Sequence, residues 1–157
     1  MAKISLSIPV RWSDLDAYGH VNNARMLTLL EEARIKAFWS NDQSESGADE
    51  ELLRSAKILT GDPSSPSITL IAGQRIEYVK PLEWTGEDIR VDLWIGQLGG
   101  ASLEVSYEVF AADGELVAKA TTAIVIVDAK TGKPRRISDD DRETLSQLVE
   151  EPVAFRR

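Results

Sequence analysis

The sequence predicts an α+β fold, with about five antiparallel strands wrapped around one long central helix. Three observations carry this. A single strand pattern opens the chain, a broad apolar helix pattern follows, and four further strand patterns come in close succession. Strands that arrive in a run, joined by tight turns, pair as antiparallel neighbours. The first strand must then rejoin that sheet, and the wide stripe of the helix needs the sheet to cover it.

The elements can be read in order. Ile4, Leu6, Ile8, Val10 and Trp12 share one parity, while Lys3, Ser5, Ser7 and Arg11 share the other, which reads as a half-buried strand. The stretch from Asp14 to Asn22 breaks it. From Asn23 to about Trp39 the period becomes helical: Met26, Leu27, Leu30, Ala33 and Ala37 share a face, and Leu29, Ile35 and Phe38 widen it. Glu31, Glu32, Arg34 and Lys36 mark the expected wet side. Polar residues 40–47 read as a loop, Ala48 to Leu59 as a short second helix, and Thr60 to Ser67, with Pro63 and Pro66, as a turn.

Four strands follow: Ile68 to Val79, Ile89 to Gln97, Ser102 to Phe110 and Leu116 to Val127. In the first of these, Ile68, Leu70, Ala72, Ile76 and Tyr78 are in phase. Gly99-Gly100 and Asp113-Gly114 supply the hairpin turns, and Pro81 to Glu87 a longer connection. Ser138, followed by three aspartates, caps a terminal helix over about 138–150. The 157 residues suit a single domain spanning 1–157, with its core over about 4–128. Trp39, Trp84 and Trp94 read as packing groups.

Charge and composition exclude several classes. The formal net charge of -8 argues against a nucleic-acid binder but leaves room for a local basic patch facing a phosphorylated ligand. With no cysteine there is no disulfide, thiolate metal site or cysteine nucleophile. The opening residues alternate rather than forming an apolar block, and no run approaches the ~20 apolar residues that span a bilayer. A cytoplasmic protein without membrane insertion is the expectation.

The densest chemistry lies in Asp14-Leu15-Asp16-Ala17-Tyr18-Gly19-His20-Val21-Asn22-Asn23, which ends where the helix begins. A carboxylate beside a helix N-terminus is suited to reactions that develop negative charge, because free N–H groups point there. Calcium does not suit this loop: an EF-hand register from Asp14 would place Tyr18 and Arg25 where oxygen ligands are needed. No Gly-x-Ser-x-Gly elbow is present, and nothing marks a serine to partner His20, the one histidine in the sequence.

This motif, on this order of elements, resembles the hotdog-fold acyl-CoA thioesterases of the 4-hydroxybenzoyl-CoA thioesterase-like superfamily. The likeness rests on Asp14, Asp16, Gly19, His20 and Val21, on Asn22-Asn23 at the helix start, on Leu29-Leu30-Glu31-Glu32-Ala33-Arg34, and on Ile76-Glu77-Tyr78-Val79-Lys80-Pro81-Leu82. It implies an acyl-CoA thioesterase with Asp16 as the catalytic carboxylate, nucleophile or general base, and the Asn23 backbone N–H as oxyanion donor. Asp14 is expected to brace the turn. Tyr18, Gly19, His20, Val21, Asn22 and Tyr78 would contact substrate, with His20 shaping the pocket. Arg75, Lys80, Gly100 and Ser102 are the candidates for contacts to coenzyme A.

The resemblance further implies a homodimer or, by pairing of dimers, a homotetramer, with the site between subunits. It calls for no metal and no cofactor beyond the coenzyme A of the substrate. The alternative is a hotdog protein that binds acyl-CoA or acyl carrier protein without turnover. A more remote reading is a hydratase, in which His20 would act directly.

Overall fold

The computed structural model describes residues 3–38 and 65–156. The expected second helix, the 40–47 loop, most of the Thr60–Ser67 turn and Trp39 lie outside the described residues. The elements are β1 (Ile4–Ile8), a 3-10 turn (Trp12–Asp14), α1 (Asn23–Phe38), β2 (Ser67–Tyr78), β3 (Ile89–Leu98), β4 (Ser102–Phe110), β5 (Leu116–Asp128) and α2 (Asp139–Ser146). The strands form one antiparallel sheet in the order β1-β3-β4-β5-β2. This is the architecture expected from the order of patterns.

The core lies between α1 and the sheet. Leu29, Leu30, Ala33 and Ala37 are buried against Leu6, Val91, Leu93, Val105, Val109, Ile124 and Ile126. Removing each large aliphatic side chain of this kind from water contributes about 1.5–3 kcal/mol. β1 stops at Ile8 because Pro9 has no N–H to give to a ladder. Its expected continuation to Trp12 fails: Trp12 is 75% exposed and sits in the 3-10 turn.

Two further departures have clear causes. Arg34, expected on the wet side, is buried: its Nη1 donates to Tyr107 Oη (3.1 Å) and Thr122 Oγ1 (3.4 Å). Tyr107 Oη in turn donates to Thr122 Oγ1, and Thr122 Oγ1 to Gln74 Oε1, both at 3.1 Å. A helix with an apolar face this wide has little remaining arc, so one long charged side chain was enclosed and had to find polar partners. In β2 the predicted in-phase row is broken at Ala72, where the register with β5 slips between Ile71 and Gly73. The bulge reverses parity, so Ile68 and Leu70 lie on the opposite face from Ile76 and Tyr78. At the sheet edge, Ile68, Leu70 and Ile71 all remain at least 39% exposed.

Ser138 caps α2 by accepting from the Asp141 N–H, and the helix ends at Ser146, earlier than expected. Beyond it the chain crosses the outer face of the sheet as a strap. Trp94 Nε1 donates to the Glu151 carbonyl (2.8 Å), the Val153 N–H donates to Ser106 Oγ (3.2 Å), and the Arg156 N–H donates to Glu77 Oε2 (2.7 Å). The strap approaches β3 so closely that a Cβ on Gly96 would stand 3.1 Å from the Pro152 Cα and 2.5 Å from Ser106 Oγ. Trp94 is thus the packing group expected, whereas Trp84 is 41% exposed.

Candidate active site

The loop after β1 folds on itself. Asp14 is fully buried, and its carboxylate accepts from the Arg11 N–H (2.8 Å) and from Arg11 Nη2 (3.0 Å). Burial pushes this carboxyl up, but the hydrogen bonds and charge of Arg11 outweigh it and hold Asp14 below the usual carboxylate range. The Asp14 carbonyl accepts from the Asn22 N–H at 2.8 Å, which closes the base of the loop. Asp14 therefore braces the turn, as the motif suggested.

Above that base, Asp16 and His20 exchange backbone contacts, with the Asp16 N–H donating to the His20 carbonyl at 2.8 Å. Gly19 makes the reversal possible with a φ of 76°, a conformation that costs a residue with a Cβ more. The Asp16 side chain accepts twice on one oxygen, from the Tyr18 N–H (2.8 Å) and the His20 N–H (3.1 Å), both on Oδ1. The loop then lies along the connection after β2: the Val21 N–H donates to the Leu82 carbonyl at 2.8 Å, and the Trp84 N–H to the Gly19 carbonyl at 3.4 Å.

Asn22 begins α1. Its Oδ1 accepts from the N–H groups of Ala24 (2.9 Å) and Arg25 (3.2 Å), and its carbonyl from that of Met26. The cap leaves the Asn23 N–H without an acceptor among the described residues, as expected for the first turn of a helix. Tyr78 Oη donates to the Asn23 carbonyl at 2.6 Å, tying β2 to the helix start. Desolvation raises the Tyr78 phenol above its ordinary value, so it stays a neutral donor at physiological pH.

These groups border one cleft of about 360 Å³ lined by Asp16, His20, Val21, Asn23, Tyr78 and Lys80, with Met26 and Leu82 among its apolar walls. Six of the residues singled out in the sequence thus meet. The others lie outside its lining. Tyr18 is 84% exposed, while Gly19 and Asn22 act through loop and cap geometry. Arg75 stacks its guanidinium 4.1 Å from the Phe155 ring, under the strap. Of the six in the cleft, Lys80 is ion-paired with Glu115.

Gly100 and Ser102 lie at the opposite end of the sheet, the length of β4 away, or about 27 Å for a nine-residue strand. Arg142 and the Ile137 N–H occupy the carbonyl side of their turn. Met26, Val79, Pro81 and Leu82 complete the lining without having been marked as site residues: Met26 reads as core, and the other three follow Tyr78 at the end of β2 and in the connection after it.

A buried brace, a second carboxylate at a cleft and a free helix N–H beside it are the parts of an acyl-transfer site. Residues 10–148 match the profile of the thioesterase-like superfamily. The chain belongs to this superfamily. It is 31% identical over 143 residues to the long-chain acyl-CoA thioesterase FadM of Escherichia coli (strain K12), covering 90% of this chain and 96% of that protein. A thioesterase of Thermus thermophilus, solved with coenzyme A and Zn, is 27% identical with a TM-score of 0.66 and 92% of each chain covered.

A predicted thioesterase from Bacillus stearothermophilus is 26% identical with a TM-score of 0.73, covering 97% of this chain and 100% of that one. The sheet around α1 is the hotdog fold of these thioesterases, and the chain is a thioester hydrolase by its family. Among the described residues no helix is long and apolar enough to cross a membrane.

Proposed function

We propose that this superfamily member hydrolyses an acyl-CoA to a carboxylic acid and coenzyme A, with Asp16 as the reacting carboxylate and the Asn23 N–H as the oxyanion donor. The observation that carries this is the opening of both groups onto one cleft, with the helix N–H unpaired among the described residues. As the thioester carbonyl is attacked its oxygen gains charge, and one preorganised N–H is worth ~3–4 kcal/mol to such a transition state. Asp16 either attacks the carbonyl carbon, expelling the thiolate and leaving a mixed anhydride that water opens, or takes a proton from the water that attacks. The thiolate collects its proton from solvent. The reading calls on no metal or cofactor other than the coenzyme A that arrives with the acyl group.

The site works across a homodimer, itself able to pair into a homotetramer. The support is the β2 edge, twelve residues long, whose exposed Ile68, Leu70 and Ile71 are unusual for an unpaired strand. Two β2 edges related by a two-fold axis run antiparallel. The hairpin holding Gly100 of the partner subunit and Ser102 of the partner subunit would then approach the Asp16 end.

Release of free thiol from a panel of short, long and aromatic acyl-CoAs tests the activity. A chain that bound these compounds and released no thiol would be the non-catalytic binder, with Asp16 serving only the loop. Label found in Asp16 after single turnover in ¹⁸O-water marks an anhydride opened at the Asp16 carbonyl; label in the product alone is given both by the general-base route and by an anhydride opened at the acyl carbonyl.

A further inference from the structure

A second cleft, of about 750 Å³, adjoins the one holding Asp16 and shares His20, Lys80, Pro81 and Leu82 with it. Its size falls within the ~300–1,000 Å³ of small-molecule sites. The connection from β2 to β3 makes one wall and the turn between β4 and β5 the other. Leu82, Trp84, Ile89 and Ala111 provide its apolar surface. Trp84 stands edge-on to Trp12, ring centroids 5.4 Å apart, and both indoles remain well exposed. The fold does not need this aromatic pair buried, so its position at the mouth of a cleft next to the site asks for an occupant.

Charge selects which part of the substrate that is. Glu83, Glu87 and Asp113 all line this cleft, against Lys80, whose charge is already met by Glu115. The phosphates of coenzyme A would face net negative charge here. An uncharged apolar arm would face indole and aliphatic carbon.

We propose that this cleft seats the acyl arm of the substrate, with Trp84 as its wall, which makes the preferred substrates bulky, apolar acyl thioesters. This rests on the thioesterase reading above and names its substrate class. Each methylene that enters the cleft should tighten binding about fourfold.

The test compares wild type with Trp84→Ala and Trp84→Phe, using acetyl-, hexanoyl- and dodecanoyl-CoA for turnover. S-dodecyl-CoA, a thioether that cannot be hydrolysed, and coenzyme A alone serve for binding by calorimetry. The expected result is a roughly ten- to hundredfold loss of kcat/KM on dodecanoyl-CoA in Trp84→Ala, with less than threefold change on acetyl-CoA. Affinity for S-dodecyl-CoA should fall in parallel, affinity for coenzyme A should hold, and Trp84→Phe should restore most of the loss. A uniform loss across chain lengths, an unchanged profile, or a loss of coenzyme A affinity would overturn the assignment, the last by making the cleft a nucleotide seat. Trp84-dependent binding of S-dodecyl-CoA without turnover of any thioester would sink the hydrolase reading and leave the acyl cleft standing. No binding of S-dodecyl-CoA by wild type would overturn the cleft.

Discussion

The lower and upper halves of the loop between β1 and α1 each hold one aspartate, and the two are treated in opposite ways. Asp14 is sealed, with both its carboxylate oxygens held by Arg11. Asp16, two residues on, borders a cleft and, among the described residues, receives its hydrogen bonds on Oδ1 alone. The difference teaches how one short turn divides labour: a carboxylate saturated by local donors fixes shape, while one with an uncommitted oxygen beside an open helix end can act on a ligand.

The strongest way to break this comparison is Asp16→Asn. The amide keeps an oxygen to accept from Tyr18 and His20, so the loop should stand and melting should shift little. Turnover should fall about 10²–10⁴-fold, the usual contribution of a positioned acid or base. Retained thiol release in Asp16→Asn would end the assignment of roles.

The mirror experiment is Asp14→Ala, expected to cost roughly 1–3 kcal/mol through lost charge-assisted hydrogen bonds. Urea unfolding should show it, while KM of the surviving folded enzyme changes little. Acid sharpens the same point. Because the folded-state pKa of Asp14 is depressed, its contribution is present above the unfolded carboxylate value of ~3.9 and is lost as pH falls through the lower folded value. Wild type should therefore lose more stability than Asp14→Ala on going from pH 5 toward pH 2, as read by urea midpoints along that series.

Two smaller effects probe the helix start. Asn22→Ala removes the cap at about 1 kcal/mol, and a modest drop in melting temperature should come with a several-fold drop in kcat as the Asn23 N–H loses its bearing. Tyr78→Phe deletes one hydrogen bond to the Asn23 carbonyl, and kcat should fall by about two- to tenfold. Since burial raises this phenol, wild type and Tyr78→Phe should keep parallel rate profiles between pH 8 and 9.5. A divergence there would make Tyr78 a proton donor in the reaction.

Much of this was legible in the chain itself. Alternation along Ile4–Ile8 and the three strands from Ile89 onward marked the sheet, and Asn22-Asn23 before a broad apolar stripe marked where the helix starts. What stayed hidden were features set by contacts distant in sequence. A bulge at Ala72 reverses the β2 face, and no local residue requires it. Trp12 looked like the last inward residue of a strand that Pro9 had already ended. Gly100 and Ser102 are close to the site only if a second subunit brings them there, which linear order does not express. Leu82 and Met26 line the cleft because the loop bonds to the connection after β2, a pairing made by backbone groups that every sequence has.

The buried guanidinium of Arg34 has one more consequence. Greasy surfaces tolerate slippage, and a cylinder with such a wide oily arc could settle against the sheet at several roll angles with little change in energy. Hydrogen bonds to Tyr107 and Thr122 are satisfied at one of them. Arg34 acts as an indexing pin: it selects the rotational setting of the rod, and so decides which way the amide at its tip is aimed.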